Sequence, residues 1–246
     1  MTSLTTCADA EAAAQRAAGE IARRLHSARA ERGVAHLALS GGSTPARTYQ
    51  LLATALDGWQ GIELWFADER CVGAQDEQSN YRLAKQTLLA HASAAGLDAE
   101  RIHRMRGELG PDAGANDYEL ELRGHAPSGD GAGQPPPALD VIVLGIGPDG
   151  HVASLFPGAP TLDADERQLC LGVHDSPKPP PERITLTLPV LRAARRCVLL
   201  ATGASKADAV NAMLGEATRH VPASLLRRGR LSVIVDDAAA PAPLHS

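Results

Sequence analysis

The sequence predicts an α/β chain: a Rossmann-like, doubly wound domain with one largely parallel sheet and helices on both faces. Three observations carry this expectation. Short apolar runs recur along the chain, segments with helical periodicity separate them, and glycine, proline or small polar residues stand at the junctions. Strands alternating with helices imply right-handed crossovers and a parallel sheet covered on both sides. Hydrophobic residues make up 44% of the 246 positions and charged residues 22%, enough for one substantial core with a solvated surface. The whole chain, 1–246, reads as a single domain.

The elements follow in order. Residues 9–30 form an amphipathic helix, with Ala14, Ala17, Ile21, Leu25 and Ala28 at three- and four-residue spacing and Gly33 as its stop. Val34–Leu39 is a short strand, and Pro45 opens a second helix through Tyr49, Leu52 and Leu56. Ile62–Phe66 is the next strand, followed by a loop and a helix over Tyr81–Leu89. Asp112–Arg123 is a weaker helix, and the Gly/Pro-rich stretch 126–138 is a flexible surface loop. Leu139–Leu144 (LDVIVL) has the nearly continuous apolar character of a strand buried on both faces. Gln168–Val173 reads as another strand, and the four prolines of His174–Glu182 demand an extended loop. Cys197–Ala201, a helix over Ser205–Leu214, and the strand Leu231–Val235 complete the alternation, with a tail at 238–246.

Composition excludes several classes of function. The net charge of −5 and the 3% aromatic content argue against a nucleic-acid surface, which needs basic residues and exposed rings. No apolar run reaches the roughly 18 residues of a membrane span. Asp9, Glu11, Glu20 and Glu31 do not suit a transit peptide, so the expected location is cytoplasmic. Cys7, Cys71, Cys170 and Cys197 lack metal-ligand spacing and read as idle thiols in a reducing compartment.

In open α/β sheets, ligands sit beyond the carboxyl ends of the strands, so the loops there carry the candidate chemistry. Ser40-Gly41-Gly42-Ser43-Thr44-Pro45 joins a strand to a helix. Its glycines permit close backbone approach, and its free N–H groups, helix dipole and two hydroxyls suit an anion. It matches neither nucleotide fingerprint. Asp68, Glu69 and Arg70 follow the next strand; the planar fork of Arg70 suits phosphate or carboxylate, and the two acids orient it or contact sugar hydroxyls. Asn80 and Tyr81 open the following helix and read as its cap.

The strongest segment is Gly145–Pro157, where His151 stands among glycines at the end of the best strand. An imidazole there titrates near neutrality and can move a proton, with Asp149 two residues away to bias its orientation. The histidines at 26, 36, 91, 103, 125, 174, 220 and 245 read as structural or merely exposed. Arg183 follows the proline-rich loop. Lys206 stands at a helix start, where a cation opposes the dipole unless an anion lies between them.

In order, the stretches LALSGGSTP, WFADERCV with QSNY, LDVIVLGIGPDGHVASLFPG, SPKPPPERITLTLP and TGASKADAV resemble the 6-phosphogluconolactonase family from about Val34 to Val235. The wider superfamily includes glucosamine-6-phosphate deaminases and isomerases, whose Asn-Glu-Pro segment after the histidine supplies a carboxylate. Here Leu155-Phe156-Pro157 stands instead. The resemblance implies a single α/β domain that hydrolyses 6-phospho-D-glucono-1,5-lactone without cofactor or metal. It implies His151 as general base, with Arg70, Arg183, Lys206 and the Gly41–Thr44 loop holding the anionic substrate. The expected partner is this small molecule alone, with the chain a monomer or weak homo-oligomer. The rival readings are a deaminase or isomerase on the same scaffold and a non-catalytic sugar-phosphate sensor. The absent carboxylate speaks against the first, and the absence of a basic DNA-binding segment speaks against the second.

Overall fold

The computed structural model describes residues 2–125 and 136–241; most of the 126–138 segment and the end of the 238–246 tail lie outside them. Strand β1 (Thr2–Cys7) leads into helix α1 (Ala10–Arg32). Asp9 caps α1 by accepting from Ala12 N at 2.8 Å, and Gly33, at φ 77°, ends it in the left-handed conformation that glycine adopts without penalty. The predicted stripe Ala14, Ala17, Ile21, Leu25 and Ala28 is buried.

Strand β2 (Ala35–Leu39) is wholly buried and passes through the glycine loop into α2 (Ser43–Ala55). Strand β3 (Ile62–Phe66) is followed almost at once by β4 (Asp68–Arg70). The helix expected over 81–89 is α3 (Asn80–Ala84), a π-helical turn over Lys85–Leu89, and α4 (Ala90–Ala94). Then come α5 (Pro111–His125), β5 (Val141–Gly145), β6 (Cys170–Val173), β7 (Arg183–Leu186), α6 (Leu188–Ala193), β8 (Cys197–Ala201), α7 (Ala207–Leu214) and β9 (Leu231–Asp236).

Six strands form a wholly parallel sheet in the order β1-β9-β8-β5-β2-β3. From β2 the chain steps outward to β3, then returns to β5 on the other side of β2 and continues to β8 and β9. Neighbouring β2 and β5 therefore send their loops in opposite directions, which opens a crevice at their carboxyl ends.

Helix α6 and strand β7 are not among the expected elements, and two further departures shape the sheets. Strand β1 pairs along its length with β9 although Thr2–Cys7 lacks an apolar face; it is an edge strand with Leu4 42% exposed. The segment Ala67–Val72, expected as a loop, contains β4, part of a second, antiparallel sheet in the order β4-β7-β6. Asp68-Glu69-Arg70 gives no apolar pattern because its buried carboxylates are held by hydrogen bonds rather than by apolar packing. Ala67 hinges the two sheets: its N–H donates to Leu39 O at 2.7 Å, and its carbonyl accepts from Leu186 N at 2.8 Å.

Helix α5 seams the sheets together. It packs on β6 and β7, while its Tyr118 hydroxyl accepts from Phe66 N at 2.7 Å and donates to Phe66 O at 3.1 Å. Beside it, buried His103 bridges Glu63 of β3 and Glu121 of α5 at 2.8 Å each and stacks on Trp65 at 3.8 Å between ring centroids. Trp65 Nε1 in turn donates to His36 Nδ1 at 3.1 Å, so both buried histidines are structural, as expected.

Candidate active site

The crevice between β2 and β5 is a cleft of about 300 Å³, walled by the loops after β2, β5 and β8 and by residues of β4 and β7. Gly41, Gly42, Ser43, Thr44, Asp68, Arg70, His151, Arg183 and Lys206 all line it. Asp149 stands behind His151, outside the lining.

The floor is built from backbone. Tyr49, buried in α2, accepts from Ser40 N at 2.9 Å and donates to Ser40 O at 2.7 Å, fixing the chain just before the glycines. Burial pushes the Tyr49 phenol far above its ordinary value, so it remains a donor. A Cβ on Gly41 would lie 2.0 Å from Asn80 Oδ1, so only glycine fits. Gly42, at φ 113°, turns the chain into α2 without a side-chain cap, leaving the first-turn N–H groups to face an anion. Thr44 Oγ1 hydrogen-bonds Thr202 Oγ1 at 3.1 Å, joining this helix start to the loop after β8. That loop carries Lys206, whose Nζ donates to Ile146 O at 2.8 Å.

The loop after β5 presents the histidine. His151 Nδ1 lies 2.6 Å from Asp149 Oδ1. An ionised carboxylate only accepts, so Nδ1 carries the proton and Nε2 keeps its lone pair. A Cβ on Gly147 would sit 2.0 Å from His151 Nδ1 and 2.5 Å from Asp149 Oδ1; the glycine makes room for the pair. Phe156 packs against the imidazole at 4.7 Å between ring centroids, and the Arg183 guanidinium lies over the Phe156 ring at 5.5 Å from its centroid. Burial lowers the His151 pKa, with the Asp149 hydrogen bond and charge opposing but not cancelling it. For Asp149, burial acts upward, and the hydrogen bond and charge of His151 outweigh it, so its pKa is lowered.

The antiparallel sheet supplies the opposite wall. Asp68 is buried; its Oδ2 accepts from Ser154 Oγ at 2.7 Å, and its Oδ1 accepts from Asn80 Nδ2 at 3.1 Å. Arg70 Nη1 donates to Gln78 O at 2.6 Å. Arg183, 3% exposed, donates through Nε to Pro180 O and through Nη2 to the carbonyls of Lys178 and Pro179, at 3.1–3.2 Å. Burial lowers its pKa, yet an arginine starts so high that it stays a cation. Glu69, read from sequence as a partner of Arg70 or a sugar ligand, faces away from the cleft. Its carboxylate accepts from the N–H groups of Arg70, Asn80 and Tyr81 and from Ser79 Oγ, and Ser79 is the cap of α3.

Three residues of the site escaped the sequence reading. Ser154 is hidden among apolar neighbours, and only the fold brings it to Asp68. Thr202 gives no signal beyond following a strand. Lys178 lines the cleft from the proline-rich segment, with Nζ 4.0 Å from Asp149 Oδ2. Four cations thus surround two carboxylates and one imidazole, a local excess of positive charge in an acidic protein. Among the described residues no three His, Cys, Asp or Glu side chains converge as metal ligands, and no helix is long and apolar enough to cross a membrane.

Known proteins resemble this chain along most of its length. A 6-phosphogluconolactonase of Streptomyces coelicolor is 40% identical over 245 residues, covering 94% of this chain and 91% of its own. The human 6-phosphogluconolactonase is 38% identical over 212 residues, covering 83% and 79%. The crystal structure of a 6-phosphogluconolactonase from Shewanella baltica superposes with a TM-score of 0.81 at 29% identity, covering 96% of this chain and 98% of that one. The profile of the family described as glucosamine-6-phosphate isomerases/6-phosphogluconolactonase matches residues 8–235, and the chain belongs to that family.

Proposed function

We propose that this protein hydrolyses 6-phospho-D-glucono-1,5-lactone to 6-phospho-D-gluconate, the lactonase step of the oxidative pentose phosphate pathway. The observation that carries the reading is the Asp149–His151 pair at the carboxyl end of β5, opening onto a cleft rich in cations. The relatives named above are lactonases, and Leu155-Phe156-Pro157 provides no carboxylate after the histidine; Phe156 packs on the imidazole instead.

Ester hydrolysis at a lactone needs an aimed water, a base and donors for the developing oxyanion. His151 Nε2 takes a proton from water as its oxygen bonds to the lactone carbonyl carbon. The tetrahedral intermediate then collapses: the bond from carbon to ring oxygen breaks, and His151 returns the proton to that oxygen. Water is consumed, and the product is an open-chain acid that ionises at neutral pH. Asp149 fixes the tautomer and steadies the transient imidazolium. Arg70 and the backbone N–H groups of the glycine loops answer the oxyanion charge. The phosphate rests on the first turn of α2 with Lys206, and its binding energy orients the distant ester.

The test is direct. With the lactone generated in situ from glucose 6-phosphate, the unaltered protein should remove it far faster than spontaneous hydrolysis does. His151→Ala should lower kcat by about 10²–10⁴-fold while folding normally. Because burial lowers the His151 pKa, the acid limb of kcat/KM should fall below the ordinary imidazole value of about 6.5. Full turnover by His151→Ala would remove the histidine from the mechanism. A folded wild-type protein that gives no acceleration would remove the lactonase reading itself.

A further inference from the structure

We infer that Lys178, carried on the proline-rich segment between β6 and β7, is a phosphate ligand that works with Lys206 and completes the anion subsite. This rests on the lactonase reading for the identity of the ligand, while the cations of the cleft mark the subsite. Arg70, Arg183 and Lys206 each donate to main-chain carbonyls. Lys178 also faces the cleft, yet among the described residues its ammonium makes no hydrogen bond and only a long ion pair, to Asp149 Oδ2 at 4.0 Å, and its side chain is 43% exposed. A lysine in that condition keeps all three donors available.

The backbone beneath this ammonium is held firmly. Ser176 Oγ accepts from Lys178 N at 3.1 Å and donates to Lys178 O at 2.8 Å. Arg183 Nη2 donates to the same carbonyl at 3.1 Å, and Ser176 N donates to Pro181 O at 3.0 Å. The segment is therefore a fixed platform whose cation is held, among the described residues, only by the long ion pair to Asp149. Its position is informative as well. Lys206, fixed on Ile146 O, and Lys178, beside Asp149, line the same cleft of about 300 Å³ as the first turn of α2, and burial, joined by the Lys178 charge, lowers the Lys206 pKa. Thr44 and Thr202 join that side to the first turn of α2. Two like charges that face one cleft together with a helix N-terminus are relieved by a multiply charged anion held there, and a phosphate dianion matches that need.

The arrangement also gives Arg183 a second task. By donating to the carbonyls of Lys178, Pro179 and Pro180, it holds the platform and thereby places the ammonium. Arg183 acts here as a positioning residue, whatever it contacts directly.

The experiment compares two ligands that differ at one end: 6-phosphogluconate, with phosphate and carboxylate, and glucitol 6-phosphate, with phosphate alone. Their affinities are measured by calorimetry for the wild type, Lys178→Met and Lys178→Arg. Loss of one charge-assisted contact should weaken both ligands in Lys178→Met by the same factor, about ten- to a hundredfold, with Lys178→Arg recovering much of it. Weakening of 6-phosphogluconate alone would place Lys178 at the carboxylate end and overturn the inference. Unchanged affinities for both ligands would overturn it as well. Turnover of the lactone by the wild type, measured alongside, separates failure of this inference from failure of the lactonase reading.

Discussion

The two sheets build opposite walls of one cleft by opposite means. The six-stranded parallel sheet is apolar and contributes mainly what lies beyond its strand ends: the glycine turns, the unpaired N–H groups of α2, and one histidine. The three-stranded antiparallel sheet is short and mixes apolar with charged residues, and it contributes side chains from within the strands themselves, Asp68, Arg70 and Arg183. The first is stable because of what it excludes from water, and the second because the buried carboxylates of Asp68 and Glu69 and the guanidinium of Arg183 have found partners. A cleft between them gains backbone positioning from one side and charge from the other.

Three substitutions sharpen this contrast. The largest effect is expected at the parallel sheet's loop. Gly147→Ala adds a methyl group where His151 Nδ1 and Asp149 Oδ1 already stand, so the pair must separate or the loop must shift. A displacement of about 1 Å at a catalytic group costs on the order of 10²-fold in kcat. Thermal unfolding should change far less than turnover; preserved kcat would show that the loop absorbs the methyl group elsewhere.

On the polar side the expected loss is in stability first. Ser154→Ala takes from buried Asp68 Oδ2 its 2.7 Å donor, leaving an under-satisfied carboxylate between the sheets. The expected cost is about 1–3 kcal/mol, visible as a Tm lower by several degrees. An unchanged Tm would mean that Arg183, 3.5 Å from the same hydroxyl, takes over Asp68.

The smallest effect concerns the seam. Burial pulls the His103 pKa down, but hydrogen bonds to Glu121 and Glu63 outweigh it and raise the value above the ordinary imidazole range. A histidine with a raised folded pKa contributes stability that is fully present below the unfolded pKa, about 6.5, and fades as pH rises through the folded value. His103→Gln should therefore cost on the order of 1 kcal/mol at mildly acid pH and flatten the decline of Tm toward alkaline pH. An equal pH slope in both proteins would detach His103 from the seam.

Legibility in the sequence follows the same division. The strands β2, β3, β5, β8 and β9 announce themselves because burial on both faces keeps them mostly apolar. The glycine loop and His151 could be read from their places after such strands. By contrast, Asp68-Glu69-Arg70 carries no apolar alternation, and its strand forms only by pairing with Arg183-Ile184-Thr185, more than a hundred residues later. Strand β1 was illegible for a related reason: at an exposed edge, Thr2–Cys7 needs main-chain pairing more than an apolar face. Ser154 and Lys178 are single residues whose partners, Asp68 and Asp149, are fixed only by the tertiary structure.

Glu69, although it contributes nothing directly to the cleft, bears on how this protein can diversify. Its carboxylate holds the chain at both ends of the excursion from Arg70 to Ser79, through Arg70 N on one side and Ser79 Oγ, Asn80 N and Tyr81 N on the other. The path between is mostly exposed, and lengthening a loop whose ends are already fastened costs little closure entropy. The stretch from Gly73 to Glu77 is therefore a tolerant site for insertions and sequence drift, where evolution or an engineer can add residues while Arg70 keeps its place.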